Sequence, residues 1–230
     1  MYQHTKYKPV SDRALIVEFG NSINRIINRK VHALNQIITH LRVQGVQECV
    51  PTYRSLLIYY DPSKISYESL VYQLKDFEQN IHEFNFPVKK TIEVPVIYGG
   101  NFGPDLNYVA KFHDLSEEEV IKIHTEREYT VYMIGFVAGF PYLGEVSNAI
   151  ATPRMETPRL QVPAGSVGIA GNQTGIYPRQ SPGGWQIIGR TPKILFNPHK
   201  NPPALLSPGD IIRLKPIEKE NGRDLWDNSL

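Results

Sequence analysis

A chain of 230 residues with 41% hydrophobic and 21% charged residues has room for one large or two small domains, and it is neither disordered nor collagen-like in composition. The formal net charge is +2, and no Lys/Arg cluster of the kind that follows a phosphate backbone is present, which argues against nucleic acid as a partner. The longest apolar runs, such as Leu56 to Tyr60, fall far below the ~20 residues of a membrane span, and MYQHTKYKPV lacks a signal core; a soluble, cytoplasmic protein with no membrane partner is expected.

Along the chain, Ala14-Leu15-Ile16-Val17-Glu18-Phe19 is β-rich and stops at Gly20-Asn21-Ser22, a turn that also offers a helix N-cap. From Ile23 to Leu41 the apolar residues recur at helical spacing, with Gly45 as the stop. Strands are predicted at Val46–Val50 and Ser55–Tyr60, ended by Asp61-Pro62. Ser66 caps a second helix with the face Tyr67, Leu70, Val71, Leu74 and Phe77, and Ile65 with Leu70 forms a hydrophobic staple. Ile92, Val94 and Val96 then alternate as a strand. This βαββαβ order is that of a ferredoxin-like domain, assigned to residues 1–92 of an α+β protein.

Residues 1–94 hold two glycines and four prolines, whereas residues 135–209 hold eleven of each, so the second part reads as short strands joined by turns. It opens with the loop Tyr98-Gly99-Gly100-Asn101-Phe102-Gly103-Pro104-Asp105. Ser116-Glu117-Glu118-Glu119 is a capping box, stapled by Leu115 and Val120, for a helix that runs to about Thr125. Strands are predicted at Val131–Ile134, Val167–Ile169, Gln186–Ile188, Ile194–Phe196 and Ile211–Leu214, a pattern of barrels and sandwiches. This domain is assigned to residues 93–216, followed by a polar tail over 217–230.

Charge is unevenly spread: residues 105–128 carry seven acids and three bases, while residues 150–215 carry eight bases and two acids. The motifs HExxH, GxxxxGK[ST], GxGxxG and GxSxG are absent, the seven histidines do not cluster at metal-ligand spacing, and the single Cys49 forbids a disulfide framework or a Cys-based zinc site. No metal or organic cofactor is expected. Gly165, Gly168, Gly171 and Gly175 lack the lysine and helix of a phosphate loop and are explained by strand ends and bulges.

Two stretches remain. Gly135-Phe136-Val137-Ala138-Gly139-Phe140-Pro141-Tyr142-Leu143-Gly144 sets Phe136, Phe140 and Tyr142 among glycines and a proline, either as a plug for one barrel end or as a groove wall for a ligand or partner. The second runs from Thr152 to Pro192 and holds Arg154, Arg159, Arg179 and Arg190 with one acid among them, beside prolines that stiffen the backbone. At least two of these arginines should converge on an anion. Gln173, Tyr177 and Ser181 add neutral hydrogen bonds, and Trp185 adds a fourth aromatic. For a catalytic acid or base the sequence offers only Asp105 and His124, the latter read as a surface or helix-end histidine.

On these residues, GFVAGFPYLGEV followed by TPRLQVPAGSVGIAGNQTGIYPRQSPGGWQIIGRTP, the chain resembles the family that holds the B subunit of 5-oxoprolinase and the sporulation kinase inhibitor KipI, also called allophanate hydrolase subunit 1. The match extends from about Glu93 to Leu214, with a looser one before it. The resemblance implies a cyclophilin-like β-barrel in the second domain and a protein that works in an assembly. One implied role is a component acting with subunits A and C in ATP-dependent opening of 5-oxoproline to glutamate, with ATP used by the complex rather than bound by this chain. The other is inhibition of a sporulation histidine kinase without catalysis. Val137-Ala138 departs from the family's usual GFxPGFPYL, relaxing the loop but keeping both aromatics. A likeness to cyclophilin in fold does not imply prolyl isomerase activity.

Overall fold

The computed structural model of the chain describes residue 2, residues 4–81 and residues 89–218. The chain divides into two compact units, Met1–Val88 and Lys89–Leu230. Most of the polar stretch 217–230, like His82, lies outside the described residues.

The first unit runs β1 (Lys6–Ser11), β2 (Ala14–Glu18), α1 (Arg25–Leu41), β3 (Val46–Pro51), β4 (Ser55–Tyr60) and α2 (Tyr67–Gln79). Its strands form one antiparallel sheet in the order β1-β2-β4-β3. The βαββαβ ferredoxin-like order is therefore corrected to ββαββα. The edge expected for Ile92–Val96 is taken by β1, a strand with no sequence signal because KYKPVS is almost wholly exposed and has no apolar alternation. The alternation of Ile92, Val94 and Val96 is real, but it buries the valines in the second unit.

Leu15, Val17, Leu56 and Ile58 share the inward face of this sheet, since register pairs Leu15 with Ile58 and Val17 with Leu56. Against them α1 lays Ile27, Val31, Leu34 and Ile38, and α2 lays Leu70 and Leu74. Each such burial contributes about 1.5–3 kcal/mol. The N-cap of α1 is Asn24, two residues past the predicted turn: its side chain accepts from the Ile26 and Ile27 N–H groups. The helix ends at Arg42 in the left-handed region, three residues before the predicted Gly45. Gly45 instead turns the chain into β3. Ser66 caps α2 as expected, accepting from Ser69 N at 3.2 Å.

The second unit is a closed seven-stranded barrel, as a β-barrel expectation requires. Its strands are β5 (Thr91–Tyr98), β6 (Glu128–Ile134), β7 (Pro141–Gly144), β9 (Ser166–Ala170), β10 (Gln173–Ile176), β12 (Gln186–Arg190) and β13 (Ile211–Pro216). They follow one another as β10-β7-β6-β13-β5-β12-β9, and β9 pairs back to β10. The β5–β13 pair is parallel and the others are antiparallel. Between them β8 (Arg159–Val162) and β11 (Ser181–Gly183) form a separate two-stranded ladder.

Two helices complete this unit: α3 (Leu106–Phe112), which follows the Gly-rich loop without a sequence signal of its own, and α4 (Glu117–Thr125). Leu106, Val109 and Val120 join the same core as Val96, Val131 and Ile188 of the barrel. The capping box forms as predicted, with Ser116 N donating to Glu119 Oε2 at 2.8 Å and Glu119 N to Ser116 Oγ at 3.1 Å. Ile194–Phe196 is not a strand: Leu195 is buried, but only Phe196 pairs, in a single bridge to Ala204.

Candidate functional site at the barrel rim

The aromatic stretch and the arginine stretch meet. Phe140 is fully buried at the centre of a ring cluster, with centroids at 4.8 Å to Tyr142, 5.0 Å to Tyr177, 5.5 Å to Trp185 and 5.7 Å to Phe136. Most of these pairs are edge-to-face, the arrangement that sets a positive ring edge on a negative ring face. Glycine makes the room. Gly168 and Gly175 are opposite each other across the β9–β10 hairpin, and a Cβ on Gly175 would stand 2.9 Å from the Trp185 ring and 3.0 Å from Phe140. The aromatics of residues 135–144 therefore differ in burial. Phe140 plugs the cluster, while Phe136 is 61% exposed and held at φ +64, an uncommon conformation for a bulky side chain.

Arg154 lies over this floor, its guanidinium carbon 5.8 Å from the Trp185 ring centre. Two bonds hold its segment: Met155 N donates to Gly184 O at 2.8 Å, and Gln186 Nε2 donates to Pro153 O at 3.0 Å. Arg154 is exposed and forms no ion pair among the described residues. Tyr142 and Tyr177 are close enough to feel its charge. Burial raises both phenols: Tyr142 against the pull of Arg154, and Tyr177, to about 12, against the pull of the Trp185 backbone N–H and of Arg154 and Arg159. Both therefore stay protonated donors near neutral pH.

Arg159 converges here but is not free. Its Nη2 donates to Asp105 Oδ1 at 2.6 Å, and its Nη1 lies 2.8 Å from Met155 Sδ. Asp105, 8% exposed, uses its other oxygen to accept from Ile187 N at 2.6 Å, while its own N–H donates to Ile187 O. The Gly-rich loop 99–105 explains this docking: Gly103 lies so close to Ile188 O that a Cβ there would come within 2.0 Å. Asp105 thus stands as a buried clamp between this loop, β12 and Arg159. Ser181 is opposite Val162 in the β8–β11 ladder, its Oγ buried with no hydrogen-bond partner among the described residues.

Arg190 is half-buried with its Nε donating to Ala164 O at 2.7 Å, and Arg179 is exposed in the segment between β10 and β11. Gln173 opens β10 opposite Gly144 and Ala170. His124 does lie in the last turn of α4, but the surface reading is corrected: it is completely buried. Thr174 Oγ1 gives its proton to Gly168 O, so it accepts from His124 Nε2 at 3.0 Å, and Nδ1 then accepts from Tyr98 OH at 2.9 Å. Both ring nitrogens are occupied, and burial pushes the ring down to about 3, so it is neutral. Among the described residues no group of three or more His, Cys, Asp or Glu could hold a metal ion, and no helix is long and apolar enough to cross a membrane.

Comparison with known proteins agrees with this architecture. The sequence profile described as "Carboxyltransferase domain, subdomain C and D" matches residues 5–206. The chain is 46% identical over 222 residues to the B subunit of 5-oxoprolinase from Bacillus subtilis (strain 168), covering 92% of each chain. It is 27% identical to "Urea amidolyase" of Lachancea kluyveri, covering 93% of this chain but 13% of that one. Among solved structures, TTHA0988 superposes with a TM-score of 0.79 at 38% identity, over 90% of this chain and 40% of the longer one. The chain belongs to the family of carboxyltransferase subdomains C and D, in which it is related to the B subunits of 5-oxoprolinase.

Proposed function

We propose that the chain is the non-autonomous B subunit of an ATP-dependent 5-oxoprolinase, acting with subunits A and C to open 5-oxoproline to glutamate. The observation that carries this reading is Arg154, a guanidinium over a buried aromatic floor, in a chain similar along 92% of its length to a protein named as such a subunit. The substrate is a flat lactam with a carboxylate. Its ring suits the half-buried Tyr142, which lies against the buried Trp185, and its carboxylate suits the exposed Arg154, with the Tyr142 hydroxyl as a donor. Arg159 is turned inward by Asp105 and orients the wall rather than gripping the ligand. Catalytic groups and the handling of ATP are assigned to the partner subunits. In the longer relative TTHA0988, a domain like this one is 40% of a single chain.

The test is co-expression with subunits A and C followed by an assay of oxoproline-dependent ATP hydrolysis. The isolated chain should be inactive, the assembly active, and Arg154→Ala should lose at least tenfold in kcat/KM while the complex still forms. Full turnover by the isolated chain, or an Arg154→Ala complex with unchanged kinetics, would overturn the reading.

A further inference from the structure

A second feature lies in the first unit, in a cavity of about 290 Å3 that none of the rim residues touches. Lys30 of α1 and Lys75 and Glu78 of α2 line it on one side, and Thr5, Tyr7 and Phe19 of the sheet and its approach line it on the other, with Tyr2 and His4 at the chain start. Its charges are unbalanced. Neither lysine forms an ion pair among the described residues, and Lys75 Nζ lies 5.8 Å from the centre of the Tyr7 ring. Glu78, the one acid in the lining, is hydrogen-bonded by neutral groups instead. Tyr7 OH donates to its Oε2 at 2.7 Å and Thr5 Oγ1 to its Oε1. Burial and the adjacent carboxylate hold the Tyr7 phenol far above its ordinary range, so it remains a donor. Two lysines and one carboxylate, the latter already claimed by hydroxyls, give the lining a formal excess of positive charge.

We propose that this cavity binds inorganic phosphate as the hydrogen-phosphate dianion, with Lys30 and Lys75 as the cationic ligands and Glu78 as the acceptor for its proton. The two roles follow from elementary charge and hydrogen-bond chemistry. Lysine ammonium groups act as point charges for phosphate. A carboxylate has about four acceptor positions, so with two taken by Thr5 and Tyr7 it still has room for an O–H. Hydrogen phosphate supplies that O–H. Sulfate has the same shape and charge but no proton, and it would set bare oxygen against Glu78. The site should therefore prefer phosphate over sulfate, which simple electrostatics cannot do. A phosphate monoester dianion, also lacking a proton, belongs with sulfate.

The experiment is titration of the ¹⁵N-labelled full chain with phosphate, sulfate or a simple phosphate monoester, in mildly alkaline buffer at constant ionic strength. Phosphate should give saturable shifts at Tyr7, Phe19, Lys30 and Glu78, with sulfate and the monoester at least tenfold weaker. Lys30→Ala combined with Lys75→Ala should weaken phosphate binding at least tenfold, and Lys30→Met with Lys75→Met should do the same if the alanine pair disturbs folding. Glu78→Gln should narrow the difference between phosphate and sulfate. Equal, non-saturating shifts for all three anions, or phosphate binding untouched in both double variants, would overturn the proposal. If the monoester binds best, the site is for an esterified phosphate and the free ion is the wrong ligand.

Discussion

Asp105 and Arg159, 54 residues apart in sequence, are joined at 2.6 Å at the barrel rim, and the same carboxylate also accepts from Ile187 N at 2.6 Å. One side chain thus fixes the Gly-rich loop, β12 and the guanidinium together. With side-chain exposures of 28% for Arg159 and 11% for Asp105, the pair is partly screened. It should contribute less than a fully buried one, about 1–3 kcal/mol on loss of either partner.

Asp105→Ala and Arg159→Ala should each lower stability by that amount, and the double variant should cost clearly less than their sum. Asp105→Asn retains an acceptor for Ile187 N and should be the mildest of the series. Urea denaturation of the four proteins checks this. Strict additivity of the two alanine variants would mean that the pair has no coupling energy.

His124 sets a pH limit on stability. In the folded chain burial holds its pKa at about 3, against an ordinary value of 6.5, so between those values the unfolded chain binds a proton that the folded chain does not. Stability therefore falls as pH drops from about 6.5 toward about 3, by up to ~1.4 kcal/mol per pH unit from this residue. His124→Gln, which keeps a donor for Thr174 and an acceptor for Tyr98, should be weaker at neutral pH but lose less on acidification. Parallel urea midpoints at several pH values provide the comparison. A variant as acid-sensitive as the parent would refute the assignment.

Gly175 and Gly171 separate two reasons for glycine. A Cβ on Gly175 would press within 3.0 Å of Trp185 and Phe140, whereas one on Gly171 meets nothing within 4 Å but must adopt φ +59. Gly175→Ala should cost about 1–3 kcal/mol by overpacking and alter the near-UV circular dichroism of the ring cluster. Gly171→Ala should cost about 1 kcal/mol and leave that signal unchanged. Near-UV spectra that respond alike in the two variants would show that the cluster does not depend on the gap at Gly175.

What is legible in the sequence follows how local the cause is. Ser116 with Glu119, and Ser66 with Ser69, cap their helices through neighbours three residues away, so their patterns read directly. The arginine and aromatic stretches point to one region because proline and glycine mark its loops, and Arg154 with Trp185 does converge there. Pairing partners are not legible. Ile92, Val94 and Val96 show the alternation of any half-buried strand, and only the parallel register with β13 decides which sheet receives them. The burial of His124 is hidden for a similar reason. A late helical position suggests exposure, and only Tyr98 and Thr174, from distant strands, reveal the buried network.

Phe136 tests whether the rim serves a partner rather than the barrel's own stability. Its left-handed backbone costs about 1–2 kcal/mol in a non-glycine residue, while its edge contact with Phe140 returns about 0.5–1.5 kcal/mol. Phe136→Gly removes both terms and adds backbone freedom to the unfolded chain, so the net change in stability should stay within about 1 kcal/mol. A side chain that is 61% exposed and contributes so little to folding should matter to assembly instead. In the proposed assembly, Phe136→Gly should bind subunits A and C at least tenfold more weakly, measured by titration against the purified subunits, with its urea midpoint nearly unchanged. Wild-type affinity in this variant would place the partner surface away from residues 135–140 and leave the left-handed phenylalanine without a role in assembly.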